Sequence, residues 1–133
     1  MNILYDEAKQ IMDAAIAKAK EMGVPVSIAI VDTGGHLLSL ARLDAAYGVI
    51  DFAVKKARTA VMFGVDSDVM GNIVAGSGVH GYGMINSNGG LLTIAGGIII
   101  KNKEGNIIGA IGVSGGAPDQ DKEIACTGAN ILV

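Results

Sequence analysis

Two stretches rich in glycine constrain the fold of this 133-residue chain more than any other feature. The first is IVDTGGHLLSLARLD, from Ile30 to Asp44, and the second is GNIIGAIGVSGG, from Gly105 to Gly116. In each stretch, runs of apolar residues meet a glycine turn that leaves polar groups at the bend. Because glycine adopts positive φ readily, both stretches predict strands closed by tight turns. No catalytic signature accompanies them, so the sequence predicts fold more firmly than function.

Apolar periodicity in the rest of the chain predicts an α+β fold. Two strand hairpins imply antiparallel pairing, and the missing βαβ alternation argues against a doubly wound parallel sheet. We expect about five antiparallel strands between helices, and a long mobile loop over the glycine-rich residues 71–90. The expected helices cover residues 4–22, 47–63, 66–74 and one helix starting at Pro118; the expected strands cover 26–31, 36–43, 91–94, 97–102 and 106–114.

The composition limits the possible functions and the compartment. Half of the residues are apolar, only 17% are charged, and the net charge is −3. A surface with so few charges hints at burial between subunits, although tight packing of Ala and Gly is the alternative. No basic stripe interleaves with aromatic residues, which argues against nucleic acid. The single cysteine, Cys126, fits a reducing compartment. No apolar run predicts a signal peptide or a membrane span, so we expect a cytoplasmic protein. The length predicts one domain over residues 1–133.

Few residues show a pattern typical of a catalytic or ligand-binding site. Gly76 to Gly81 matches GxGxxG, but the strand before it and the helix after it that a dinucleotide site needs are not predicted. His36 directly follows the Gly34-Gly35 turn and could ligate a metal or haem iron, although a lone histidine is more often a hydrogen-bonding residue at a strand edge. Arg42 and Asp44 lie at positions i and i+2, where they could form an exposed ion pair or Arg42 could clamp a carboxylate.

Two charged residues are expected near helix faces that pack inward. Lys56 borders the apolar stripe of the second long helix, so it could extend outward along apolar surface or point into a pocket. Asp121 shares a helix face with Ile124 and could cap the amides of Gly115 or Gly116.

VDTGGHLLSLARLD, KKARTA (residues 55–60) and GAIGVSGG followed by Asp121 together resemble the small haem-binding HbpS/GlcG-like family. The similarity extends over nearly the whole chain, and it includes the C-terminal domain of PduO-type cobalamin adenosyltransferases. The resemblance implies a profilin-like three-layer α/β/α sandwich with an antiparallel sheet, and assembly into a homo-oligomer, often an octamer. It also implies haem or iron binding, or a link to glycolate, propanediol and glycerol use.

The resemblance and the turn at His36 together point to a set of candidate residues. A departure from the family pattern is Gly96-Gly97-Ile98-Ile99, which stands where the family commonly has Gly-Gly-x-Pro. We expect the hairpin corner near residue 35 and the start of the last helix to line one cavity, completed by a neighbouring protomer. The candidate ligand-binding residues are His36, Arg42, Asp44, Lys56, Gly97, Gly116 and Asp121, with His36 as the metal ligand.

Three functions follow from these residues. The leading hypothesis is a small-ligand-binding accessory protein for haem or another tetrapyrrole, with no catalysis of its own. The second is a cofactor-independent enzyme acting on a small hydroxy or keto compound, in which Arg42 holds a carboxylate and His36 or Asp121 moves a proton. The third is a non-catalytic component of an oligomeric assembly.

Overall fold

The computed structural model describes all of residues 1–133 and contains five helices of regular α type and four strands. Two further short 3₁₀ turns cover Ser87–Gly89 and Asn130–Leu132. The helices are α1 (Tyr5–Met22), α2 (Gly48–Phe63), α3 (Ser67–Gly76), α4 (Val79–Met84) and α5 (Pro118–Ala129), and the strands are β1 (Ser27–Asp32), β2 (Leu37–Arg42), β3 (Gly97–Lys101) and β4 (Ile107–Ser114).

The four strands form one sheet in the order β2-β1-β4-β3, with every neighbouring pair antiparallel. The expected antiparallel sheet is therefore confirmed. At one end of β1, Ser27 lies opposite Arg42 of β2 and Ser114 of β4. At the other end, Asp32 lies opposite Gly109. This register decides which candidate residues can meet, because each strand end belongs to a different region of the surface.

Helices cover both faces of the sheet, because β1 is apolar on both sides. Ile28 and Ile30 face the larger core, to which α1 and α5 contribute. Val31 faces the opposite way and packs with residues of α2. Gly112 of β4 lets α2 approach closely, since a Cβ at that position would overlap the Ala53 carbonyl oxygen. Successive side chains of a strand point to opposite faces, so the near-continuous apolar run of β1 correctly predicted coverage on both sides.

The predicted fifth strand, residues 91–94, does not form. Side chains satisfy the backbone of this segment: the Leu92 N–H donates to Thr59 Oγ1 at 3.0 Å, and the Ile94 carbonyl accepts from Ser67 Oγ at 2.6 Å. These bonds tie the segment to α2 and α3 instead of to a strand. The sheet consequently has four strands and not five.

The prediction of a long loop over residues 71–90 is wrong as well. Helix α3 continues to Gly76, and α4 follows it after two residues. Glycines in this region serve close packing: a Cβ on Gly81 would overlap the Val74 carbonyl, and one on Gly71 would lie 2.6 Å from the Thr93 carbonyl oxygen. A helix of six residues, such as α4, is too short to give a readable apolar period, which explains the error.

None of the helices combines the length and the apolar character needed to span a bilayer.

Candidate functional site

A buried ion pair joins three elements at the Ser114 end of the sheet. The side chains of Lys56 and Asp121 are only 1% and 3% exposed, and Lys56 Nζ lies 3.1 Å from Asp121 Oδ2. The same ammonium donates to the Val113 carbonyl at 2.9 Å, and the Gly116 N–H donates to Asp121 Oδ1 at 2.9 Å. The pair therefore fixes the middle of α2 to the end of β4 and the first turn of α5.

Two adjacent glycines make room for this lysine. A Cβ on Gly96 would lie 2.9 Å from Lys56 Nζ, and one on Gly97 would overlap the Lys56 carbonyl. The Gly97 N–H donates to Ser67 Oγ at 2.8 Å, which holds the start of β3 against α3. The Gly-Gly pair is thus required by close approach to α2, whatever residue follows it.

The ion pair borders a small cavity of about 210 Å³. Burial lowers the pKa of Lys56, and Asp121 offsets part of that effect through its charge and its hydrogen bond. The walls combine apolar side chains, glycine backbone and three polar side chains. The lining residues are Val49, Phe52, Lys56, Ile94, Ser114, Gly115, Gly116, Pro118 and Asp121.

A second polar group occupies the turn between β1 and β2. Asp32 Oδ1 accepts the N–H groups of Gly34 and His36, each at 2.9 Å. The His36 ring Nδ1 lies 3.2 Å from Asp32 Oδ1 and 3.3 Å from Oδ2. Burial would raise the pKa of Asp32, but the two amide hydrogen bonds and the His36 ring lower it overall. Asp32 therefore both orders the β1–β2 turn and orients the His36 imidazole.

The outer face of the imidazole is available to a ligand. The His36 side chain is 81% exposed, and Asp32 engages its Nδ1, so its Nε2 has no partner in the chain. Arg58 of α2 packs beside the turn, since a Cβ on Gly35 would lie 3.5 Å from both its Cγ and its Nε. Arg58 makes no salt bridge, which leaves its guanidinium able to pair with an anionic group.

Arg42 and Asp44 lie near the Ser27 end of the sheet, and both are exposed. They form no ion pair; Arg42 instead stacks over the Tyr47 ring, with its Cζ 5.3 Å from the ring centroid. Asp44 adopts φ 56°, a left-handed conformation that Asp tolerates better than most residues. Both residues line a shallow depression of about 450 Å³ together with Lys20 and Gly23 at the end of α1.

The structure brings only part of the predicted set together. Lys56, Gly97, Gly116 and Asp121 meet around one ion pair. His36 follows the opposite end of β1, and the six residues of that strand span roughly 17 Å at a rise of about 3.3 Å between neighbours. Within one chain, the expected convergence of the hairpin corner and the last helix on one cavity is therefore wrong.

Several contributors were missed at the sequence level. Ser67 lies at the start of the expected third helix, yet its hydroxyl bridges Gly97 and Ile94. Arg58 lies within KKARTA, but the sequence does not place it beside the turn, because that position depends on how α2 crosses the sheet. Asp32, in contrast, belongs to the acidic-Gly-Gly turn that the family resemblance implies, and an Asp two residues before a glycine pair often bonds to the backbone of its own turn. No cluster of three or more His, Cys, Asp or Glu side chains is placed to hold a metal ion.

Comparisons with known proteins match most of the chain. The family described as "Haem degrading protein HbpS-like" matches residues 3–130. An uncharacterized 15.0 kDa protein from the dhaT-dhaS intergenic region of Citrobacter freundii is 36% identical over 121 residues, which cover 90% of this chain and 84% of that protein. The corrinoid adenosyltransferase PduO of Citrobacter freundii is 34% identical over 129 residues, which cover 96% of this chain but only 38% of PduO.

A solved structure extends the comparison to a ligand complex. The chain is similar to the crystal structure of the PduOC:heme complex, with a TM-score of 0.86 and 30% sequence identity. The superposition covers 100% of this chain and 98% of the other. The predicted resemblance is confirmed, both in the family and in the similarity to PduO.

Proposed function

Because the chain belongs to the HbpS-like family, we propose that it is a small-ligand-binding protein whose ligand is haem, held through His36. The observation that supports this most directly is the pairing of Asp32 with His36 Nδ1, which leaves Nε2 facing outward. The similarity to the PduOC:heme complex supports the choice of ligand.

The residues at the turn fit an axial ligand of haem iron. Histidine is the commonest axial ligand, and metal-bound histidines almost always donate their second ring N–H to a carboxylate, carbonyl or water. Asp32 supplies such a carboxylate. Arg58 would pair with a propionate, since guanidinium binds carboxylates strongly. Bound haem would supply an iron centre for ligand binding or electron transfer.

The small volume of the Lys56 cavity also favours His36 as the haem-binding site. That cavity measures about 210 Å³, below the roughly 300–1,000 Å³ typical of sites for larger organic ligands. The turn is open, and Leu37 beside His36 is 49% exposed, so the chain offers an apolar side chain but no enclosing wall. A second copy would cover the outer face of the macrocycle, consistent with the proposed homo-oligomer.

We also propose an accessory role, associated with diol, glycerol or glycolate metabolism, rather than an enzymatic one. This part of the proposal depends on the family resemblance. The exposed Arg42 and Asp44 lie at the Ser27 end of the sheet, away from His36, so they would contact a ligand bound at His36 only from a second copy of the chain.

Titration of the purified chain with haemin tests the proposal. We expect a Soret band that shifts on binding, and its loss in the His36→Ala variant. Asp32→Ala should weaken haem binding by about 10- to 100-fold, the usual effect of removing a partner that orients a metal ligand.

The control is His80→Ala, which changes the only other histidine of the chain. It should leave the Soret band unchanged, because His80 lies at the start of α4 and outside the turn. A haemin spectrum that does not depend on His36, or that depends equally on His80, would contradict the proposal.

A further inference from the structure

The Lys56 cavity has a donor that the chain does not use. An ammonium carries three N–H groups, and those of Lys56 have two partners, Val113 O and Asp121 Oδ2. A third donor is left on a side chain that borders the cavity. A buried polar group without a partner costs free energy, so a ligand that offers an oxygen atom would be favoured here.

A second unused polar group lies next to the cavity. The Ser27 hydroxyl is fully buried and has no hydrogen-bond partner. Ser27 lies directly opposite Ser114 in the sheet, so both side chains project from the same face. Ser114 lines the cavity. The unsatisfied Ser27 hydroxyl therefore lies on the same face of the sheet as Ser114, one residue pair away from the cavity wall.

The size and charge of the cavity limit what can bind. About 210 Å³ corresponds to roughly seven water molecules at ~30 Å³ each. The opposite charges of Lys56 and Asp121 neutralise each other, so the cavity does not favour a ligand that carries a net charge. Val49, Phe52 and Ile94 supply apolar walls. These features suit an uncharged compound of two to four carbon atoms with a carbonyl or hydroxyl oxygen.

We propose that Lys56 captures small aldehydes as a reversible imine, with Asp121 as its proton acceptor and donor. This site is separate from the haem site proposed at His36. The ammonium first gives a proton to the Asp121 carboxylate. The neutral Nζ then attacks the carbonyl carbon, and a proton passes from nitrogen to oxygen to give a carbinolamine.

The second half of the reaction releases water. Asp121 returns its proton to the hydroxyl, the C–O bond breaks, and the nitrogen lone pair forms the C=N bond of a protonated imine. Nothing is oxidised or reduced, and the positive charge stays beside the restored Asp121 carboxylate. The lowered pKa of Lys56 favours this chemistry, because only the neutral amine is nucleophilic.

Reductive trapping with propionaldehyde tests the proposal on the whole chain. The protein is incubated with propionaldehyde and sodium cyanoborohydride, and the propylated lysines are mapped by mass spectrometry. We expect the label on Lys56 to form faster than that on Lys55, its more exposed neighbour, whose ammonium pairs with Asp51. An aldehyde too large for the cavity, such as pyridoxal phosphate, should label surface lysines and spare Lys56.

Two variants complete the test. Lys55→Arg should keep the fast label, whereas Lys56→Arg should lose it while retaining a cation beside Asp121. Labelling of Lys55 and other surface lysines without Lys56 in the wild-type protein would overturn the proposal, even if Lys56→Arg fails to fold. Neither result depends on haem binding, so the two proposals fail separately.

Discussion

At the scale of single residues, Asp32 gives the β1–β2 turn a pH dependence. Its folded pKa lies below the ordinary value of 3.8, so the unfolded chain binds the proton more readily than the folded one. The resulting stabilisation is fully present above about pH 3.8 and is lost as the pH falls through the lower folded pKa. Urea unfolding of the wild type and Asp32→Asn between pH 3 and 7 should therefore show a stability difference that shrinks in acid. A difference that stays constant would contradict this origin of the turn's stability.

The candidate residues also show how far a sequence can specify a site. Asp121 was predicted to cap Gly115 or Gly116, and its bond to the Gly116 amide confirms this. The sequence left two interpretations of Lys56 open, a side chain that extends outward and one that points into a pocket. A position at the border of an apolar stripe does not reveal whether an inward-pointing lysine has a charged partner. That partner, Asp121, lies 65 residues later in the chain. Only the assembled fold shows that the lysine points inward.

At the scale of elements, α4 depends on one close contact with α3. A Cβ on Gly81 would overlap the Val74 carbonyl, whereas nothing lies within 4 Å of a Cβ on Gly83 in the same helix. Since α4 packs mainly on α3, Gly81→Ala should displace α4 without unfolding the sheet. Hydrogen exchange should increase over residues 79–84 in Gly81→Ala, while the β4 amides keep their protection.

Gly83→Ala is the matched control for that experiment. It adds the same methyl group to the same helix, and it should leave exchange unchanged or slow it slightly, because alanine favours helix more than glycine does. Equal exchange in the two variants would show that the contact with Val74 does not hold α4 in place.

Most helices and strands were predictable, and residues 79–94 were not. Helices α1, α2, α3 and α5 and the four strands appear within a few residues of their expected bounds, because packing against a core imposes a readable apolar period on the sequence. Residues 91–94 look like a strand because Leu91, Leu92 and Ile94 are apolar. Their backbone bonds to Thr59 and Ser67, however, and no local pattern can reveal such distant partners.

At the scale of the whole molecule, one long segment of the chain contains no charged side chain of its own. Residues 69–100 contain no Asp, Glu, Lys or Arg. The region nevertheless exposes large apolar side chains, including Val79 at 78% and Tyr82 at 76%. Val79 and Tyr82 also line an apolar groove of about 500 Å³ between α3 and α4. Exposed apolar patches of this kind are typical of interfaces between proteins, which supports the proposed homo-oligomer, with an octamer as the expected assembly.

A charge placed in this region should weaken the assembly. Val79→Lys buries an ammonium if residues 69–100 form a subunit interface, and an unpaired buried charge is costly. Sedimentation velocity should then give a smaller particle for Val79→Lys than for the wild type. Tyr5→Lys is the control, because Tyr5 is 63% exposed on α1, outside the uncharged region, and should leave the particle size unchanged. A monomeric wild type would contradict the proposed homo-oligomer, and a Val79→Lys variant of unchanged particle size would place the subunit contacts outside residues 69–100.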